Sequence, residues 1–260
     1  MLVALLEAYA ANPRDLSSMR VVVSGGATVP IELVKRIEVD MGVSFAIIFG
    51  QTETSPVITM IKLNDSPKDK SESLGTALPH TEVKIVDPET GVTLPIGETG
   101  EMCTRGYLVM TDYFENEAAT AKAIDEEGWL HTGDLCSMDE RGYCYAQGRL
   151  KEMIIRGGEN IYPRELEERL FDHPAVAEVA VVGIPDERWG EQVSAFVRFN
   201  DGAHLSATEL HDYMREHLAP NKTPKLWIKI DTFPLTASGK IQKFKLADRF
   251  IAGDLTPNLD

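Results

Sequence analysis

The run Val21-Val22-Val23 passes directly into Ser24-Gly25-Gly26-Ala27, and this junction limits the available folds more than any other stretch. Three β-branched residues favour a strand, and paired glycines permit a tight turn after it. Pro30 then opens a helix with Ile31, Leu33, Val34 and Ile37 on its apolar side, stopped near Gly42. Phe45 to Phe49 is a second apolar strand. Strand, turn, helix and strand at this spacing predict an α/β layer with a parallel sheet. Residues 3–10 precede it as an amphipathic helix. They carry Glu7 and have no basic leader, which argues against a secretory signal.

The texture changes after residue 62. Asn64 to Ser73 is polar and contains Pro67, so it reads as a surface loop. From Glu82 to Gln147 the segments are short and broken by Pro88, Gly91, Pro95, Gly97, Gly100 and Gly106, the mark of a small barrel or distorted sheet. Beyond Arg149, residues 163–171 read as a helix, 176–184 and 192–199 as strands, and Ser206 to Glu209 as a capping box on a helix ending near Leu218. A strand at 226–230 and a helix at 242–251 close the chain. The expected class is α/β plus α+β. Residues 1–78 are the remnant of a large α/β domain, 79–149 a small β-barrel-like subdomain, and 150–260 a small α+β domain.

Charge and cysteine usage exclude several functions. The net charge of −15, from 41 acidic and 26 basic residues, repels nucleic acid and anionic membrane. No apolar run reaches the length of a membrane span. Cys103, Cys136 and Cys144 form no CxxC pair and read as reduced, buried thiols of a cytoplasmic protein. There is no HExxH pattern, and His211 and His217 are not at i, i+4 spacing, so structural zinc is not expected.

Four segments can carry chemistry. Phe49-Gly50-Gln51-Thr52-Glu53 follows a strand, where parallel sheets place ligand contacts; its hydroxyl and carboxylate suit a phosphate oxygen and Mg²⁺. In Gly128-Trp-Leu-His-Thr-Gly-Asp134, an aspartate fixed by a glycine turn can accept from both ribose hydroxyls. Gly148-Arg-Leu-Lys-Glu-Met-Ile-Ile-Arg-Gly-Gly-Glu-Asn-Ile-Tyr-Pro163 is a glycine-punctuated hairpin where two textures meet, and reads as a domain hinge or a solvated linker. Pro234-Leu-Thr-Ala-Ser-Gly-Lys240 presents a lysine on a glycine loop, a compact charge for an anion. Taken singly, a polar turn, a β-turn aspartate and a surface lysine are the plainer readings of the first, second and fourth.

In this order, the four segments resemble the adenylate-forming superfamily: acyl-CoA synthetases, aryl-CoA ligases, luciferases and peptide-synthetase adenylation domains. Val23 to Ala27, Gly100 to Gly106 and Gly183 to Glu191 are similar to family stretches too. The resemblance runs from about Arg20 onward, with the acyl-CoA synthetase (fatty-acid–CoA ligase) type preferred. It implies an acid–thiol ligase that joins a carboxylate to AMP from ATP and then passes the acyl group to coenzyme A. It also implies a mobile C-terminal domain.

Carried over residue by residue, the resemblance places Gly25, Gly26 and Ala27 in the adenine site, with Phe49 against the ring where many relatives have tyrosine. Gly50 and Gln51 belong to the same nucleotide-binding segment. Thr52 bonds the α-phosphate and Glu53 holds Mg²⁺. Asp134 takes the ribose hydroxyls, assisted by Arg149. Lys151 is the hinge position, and Gly157 and Gly158 border the pantetheine tunnel. Lys240 contacts carboxylate and phosphate during adenylation, so Lys240, Thr52 and Glu53 form the catalytic set.

Two departures stand out. The family's Ser/Thr/Gly-rich phosphate loop has no counterpart upstream of Gly25, so the sequence is expected to begin inside a longer ancestor, leaving a sheet edge open to self-association. Asn221 stands where relatives commonly have an aromatic residue. The alternatives are a non-catalytic AMP- or CoA-binding module or inactive truncation, an aryl-acid–CoA ligase, and a peptide-synthetase adenylation domain.

Overall fold

The structure is a computed structural model and describes residues 2–26, 29–236 and 239–259. The chain divides into two compact units, Met1–Gln147 and Gly148–Asp260.

The first unit opens with helix α1 (Leu2–Ala11), strand β1 (Val21–Gly25), helix α2 (Ile31–Met41) and strand β2 (Ser44–Phe49). β1 and β2 pair in parallel, Val21 facing Ser44 and Gly25 facing Ile48, as the apolar runs predict. Gly42 ends α2 in the left-handed region at φ 66°, the usual role of a glycine after a helix. Val34 and Ile37 of α2 and Leu6 of α1 close over Phe45 and Ile47 of β2 in one buried cluster.

Strand β3 (Thr59–Met60), helix α3 (Pro67–Glu72) and strand β4 (Thr76–Ala77) complete this layer. The sheet order is β1-β2-β3-β4, with β3 antiparallel to both neighbours. β1 ends that order, and its Val23 is 46% exposed.

The expected surface loop at Asn64–Ser73 is corrected by α3. Its signals were present: Ser66 accepts from the Asp69 N–H as N-cap, and Pro67 occupies the first turn. Lys70 from this helix is only 3% exposed; its Nζ lies 2.6 Å from Glu38 Oε1 and donates to the Leu63 carbonyl. Charge density alone could not reveal an inward-facing lysine with a waiting partner.

The β-rich region holds β5 (Thr81–Val86), β6 (Gly100–Gly106), helix α4 (Glu117–Ala123), β7 (Leu130–Met138) and β8 (Cys144–Arg149). The strands run in the order β5-β6-β7-β8. The described strands show no pairing of β8 back to β5, so an open distorted sheet replaces the barrel-like expectation. A shift in register between Glu101 and Cys103 distorts it.

The second unit carries β9 (Ile154–Arg156), β10 (Glu159–Ile161), α5 (Pro163–Phe171), β11 (Val176–Asp186), β12 (Gly190–Phe199), α6 (Ala207–Arg215), β13 (Leu226–Lys229) and α7 (Lys243–Ile251). The sheet order is β10-β9-β12-β11, with β13 parallel to β12. Alternation along β11 and β12 builds two cores. Val181, Val193 and Ala195 pack with Leu166 of α5 and Leu210 of α6. Ala180, Val182 and Phe196 pack with Leu246 of α7 on the other side. Ser206 and Glu209 form the expected capping box, and α6 ends at Arg215.

Lys243 ties α7 to this unit through two carboxylates, Glu152 Oε2 at 2.9 Å and Glu167 Oε1 at 2.8 Å. Burial disfavours its ammonium, but Glu167 and Glu152 outweigh that and hold its pKa above the ordinary lysine value. Removing one partner of this half-buried cluster strands the others, so Lys243→Ala is expected to cost about 2 kcal/mol in denaturant unfolding. Because the folded pKa is raised, this contribution is fully present below the unfolded lysine value of about 10.4 and is lost as pH rises through the folded one. A Lys243→Ala protein as stable as wild type at pH 7 would contradict this account.

Candidate nucleotide- and thiol-binding site

Parallel strands β1 and β2 end side by side, which brings Gly25 and Gly26 next to the segment that follows Phe49. A Cβ on Gly25 would stand 2.9 Å from the Ile48 carbonyl oxygen, so the strands meet closer than a side chain allows. Gly26 turns away at φ 82°. Ala27, the third member of the expected adenine lining, lies outside the described residues.

The turn after β2 is set by Gly50, where a Cβ would fall 1.9 Å from the Pro56 carbonyl oxygen. Residues Thr52–Thr54 then form one 3-10 turn. Buried Thr54 locks it: Oγ1 accepts from the Gln51 N–H at 3.1 Å and donates to the Gln51 carbonyl at 2.9 Å. Thr52 is left exposed at the head of the turn, while half-buried Phe49 packs against the cluster that holds Ile58 and Met102. Of two threonines in one short motif, the structure therefore uses Thr54 as scaffold and presents Thr52.

Glu53 is held by a residue the sequence did not single out. Tyr113 donates its hydroxyl to Glu53 Oε1 at 2.7 Å, and the Met110 N–H donates to the Glu53 carbonyl at 2.8 Å. A tyrosine in a polar loop sixty residues away gave no local signal. Glu53 offers hard oxygen donors, the type that Mg²⁺ prefers, and its Oε2 is not engaged by Tyr113.

Asp134 lies on β7, in the other sheet of the first unit. Its N–H donates to Thr132 Oγ1 at 3.1 Å, and Gly133 before it has φ 70°. Around this turn, Glu101, Cys103 and His131 bring their ligand-type atoms within 4.8 Å of one another, a grouping made across paired strands and invisible to spacing along the chain. Burial, and then the charge of Glu101, pushes the Cys103 thiol up to about 12. Burial likewise pushes Cys144 up to about 12, so both are inert thiols at neutral pH. Among the described residues all three cysteines are free of disulfides.

The remaining expected residues belong to the second unit. Arg149 closes β8, and exposed Lys151 sits in the 3-10 turn Leu150–Glu152. Gly157 and Gly158 form the two-residue link between β9 and β10, both at positive φ (62° and 84°), as such a hairpin requires.

Trp189 also escaped the site prediction. Its carbonyl accepts from the Gly157 N–H at 2.8 Å, and a Cβ on Gly157 would stand 2.9 Å from its ring. Arg156 and Arg188 place guanidiniums 4.9 and 4.8 Å from the ring centroid, and among the described residues neither has a carboxylate within ion-pair distance. Asn221 donates to Glu159 beside this hairpin. Lys240 is exposed on a loop closed by Thr236, whose N–H donates to the Lys240 carbonyl at 2.8 Å and whose Oγ1 accepts from the Lys240 N–H at 3.0 Å.

The Tyr113–Glu53 bond generates a titration test. The Glu53 carboxylate accepts from the phenol and, with burial, holds the Tyr113 pKa above the ordinary tyrosine value. The bond's contribution to stability is present below about pH 10 and lost as pH rises through the raised value. Phenolate absorbance, with Tyr113→Phe identifying the band, should show Tyr113 ionising late and Glu53→Gln moving it back toward the ordinary value. An unmoved midpoint in Glu53→Gln would remove the contact.

Comparisons with known proteins give this geometry a family. The model for "AMP-binding enzyme" matches residues 1–114, and that for "AMP-binding enzyme C-terminal domain" matches residues 165–240. The putative acyl-CoA synthetase YngI of Bacillus subtilis is 51% identical over 238 residues, covering 91% of this chain and 43% of that protein. The mitochondrial medium-chain acyl-CoA ligase ACSF2 of Danio rerio is 42% identical over 236 residues, covering 90% of this chain and 39% of that protein. The structure of O-succinylbenzoate coenzyme A synthetase (MenE) from Bacillus subtilis in complex with AMP superposes with a TM-score of 0.78 at 35% identity, covering 94% of this chain and 48% of that one. The chain thus spans about two fifths of the length of these curated relatives, and it belongs to the AMP-binding (adenylate-forming) enzyme family, of which these relatives are named as acyl-CoA synthetases or ligases.

Proposed function

We propose that this chain serves an AMP-forming acyl-CoA synthetase, which activates a carboxylic acid with ATP and transfers the acyl group to coenzyme A. One observation carries the reading. The turn Gln51–Thr54 is locked by Thr54 and Gly50 so that Thr52 and Glu53 stand at the end of a parallel strand beside Gly25 and Gly26. That is where α/β sheets receive a nucleotide.

In this reading Thr52 donates to the α-phosphate and Asp134 accepts from the ribose hydroxyls, with Arg149 assisting. Phe49 borders the adenine. Glu53, oriented by Tyr113, would hold Mg²⁺; when bound, the ion screens the charge of the phosphates. Lys240 brings a compact positive charge to the carboxylate and phosphate as charge develops there. No side-chain nucleophile is needed, because the substrate carboxylate attacks the α-phosphate and pyrophosphate leaves. The CoA thiol then attacks the acyl carbon and AMP leaves.

Gly157 and Gly158 leave room for the thin pantetheine arm. The Trp189 ring, with two guanidiniums 4.9 and 4.8 Å from its centroid, suits the nucleotide end of CoA, which offers an adenine face and phosphates. Lys151, just before the Glu152 carboxylate that Lys243 fixes, is the point about which the second unit would turn between the two half-reactions. A medium-chain fatty acid is the preferred substrate, in line with the name of the ACSF2 relative, and an aryl acid, as with MenE, is the second choice. Three cysteines outside any disulfide suit a reducing cytoplasm. No helix among the described residues is long and apolar enough to cross a membrane.

The test supplies ATP, Mg²⁺ and CoA with a panel of fatty and aryl acids. Acid-dependent release of AMP with matching acyl-CoA is expected, the best acid naming the substrate class. Lys240→Ala should lower adenylation by about a hundredfold or more while leaving thioester formation from preformed acyl-AMP within a few fold. Equal loss in both half-reactions would refute the role of Lys240. AMP binding with neither product, in a folded sample, would favour the non-catalytic binding module.

A further inference from the structure

Strands β6 and β7 pair out of step. Glu101 faces Leu135, while Cys103 faces His131. Met102 alone therefore stands against three residues of β7: Thr132, Gly133 and Asp134. A bulge of this kind re-aims side chains, and it strips backbone groups of their ladder partners. Left unpaired in a sheet interior, such groups are costly.

The chain supplies substitutes. Thr132 Oγ1 donates to the Met102 carbonyl at 2.7 Å and accepts from the Asp134 N–H at 3.1 Å. The Gly133 N–H donates to Glu101 Oε1 at 2.9 Å. The other carboxylate oxygen, Oε2, accepts from His131 Nδ1–H at 2.7 Å, a carboxylate partner fixing which nitrogen carries the proton. His131 Nε2 in turn lies 3.9 Å from Asp125 Oδ2.

Glu101 is only 6% exposed. Burying a carboxylate is expensive unless its oxygens are used, and both are used on one bulge. We infer that Glu101, braced by His131, is a positioning residue that holds the bulge and so aims the Asp134 carboxylate at the nucleotide ribose. This rests on the ribose-binding role proposed for Asp134 above.

The same atoms also raise the question of a metal, since Cys103 Sγ lies 3.5 Å from His131 Nδ1. The contact between Nδ1 and Oε2, 2.7 Å, is that of a hydrogen bond. It is shorter than the roughly 3.3 Å separating nitrogen and oxygen ligands around a tetrahedral zinc. The buried thiol keeps its proton as well. The bonds in place account for the group.

The test is calorimetric titration of the whole chain with AMP and with 2′,3′-dideoxy-AMP, which lacks both ribose hydroxyls. Wild type should prefer AMP, and Asp134→Ala should erase the preference. Glu101→Ala should weaken AMP binding about tenfold and leave the dideoxy nucleotide within about twofold. Glu101→Gln retains an acceptor for the Gly133 N–H and should recover most of the preference. If Glu101→Ala does not fold, His131→Asn decides, at a side chain that is 32% exposed, with a smaller loss of the same kind expected.

An unchanged preference in folded Glu101→Ala or, failing that, His131→Asn would overturn the inference while leaving Asp134 as the ribose contact. Equal weakening of both nucleotides would show general destabilisation and overturn it too. A preference that survives Asp134→Ala, or a wild type that does not distinguish the nucleotides, would remove the ribose role itself and the inference with it.

Discussion

Two backbone crossings that only glycine permits organise the first unit. At Gly50 the chain passes so close to the Pro56 carbonyl that a Cβ has no room, and at Gly75 it passes equally close to the backbone of Met60. The first crossing folds the residues after β2 back on themselves, so that Ile58 bonds to Phe49 and β3 pairs beside β2. The second brings Gly75 against Cys144 of β8, with two backbone hydrogen bonds between the segments. The mixed sheet β1–β4 and the antiparallel sheet are thereby linked by main chain, which is stiffer than linkage through side chains alone. Thr52, Glu53 and Asp134 stand on that linked framework.

Three enclosed charges each have partners that offset the loss of water. Lys70 meets Glu38 and a carbonyl, Lys243 meets two carboxylates, and Glu101 meets an imidazole and a backbone N–H. The first two fasten helices. Glu101 differs, since what it fastens is an irregularity in a strand, and irregularities cost stability unless something holds them. The Tyr113–Glu53 bond works the same way on the exposed turn, so the proposed magnesium ligand is oriented before any ion arrives.

What could be read from the sequence was whatever local chemistry determines. The parallel pair β1–β2 followed from two apolar runs around a proline-started helix, and the capping box at Ser206 and Glu209 marked α6. The helix α3 was missed because its charged residues outweighed a good N-cap and an N1 proline. Lys70 became legible only once Glu38 was known to lie beneath it. The same limit hid the supporting residues of the candidate site. Glu101 and His131 both sit inside stretches singled out for family likeness, yet their roles arise from a register shift between two strands. Tyr113 and Trp189 act through contacts with residues sixty and thirty-two positions away. Motifs identify the residues that meet a ligand; the residues that hold those in place are found from pairing and packing.

The account assigns nucleotide contacts to three separated segments of the first unit and thiol-carrier contacts to the hairpin of the second. Amide-resolved NMR on the labelled chain, titrated first with AMP and then with CoA, tests that division most directly. AMP should shift Gly25 and Gly26, Gln51 to Glu53, and Gly133 with Asp134, and CoA should shift Gly157, Gly158 and the Trp189 indole. Shifts from AMP confined to other surfaces, or none from a folded sample at saturating nucleotide, would contradict the account.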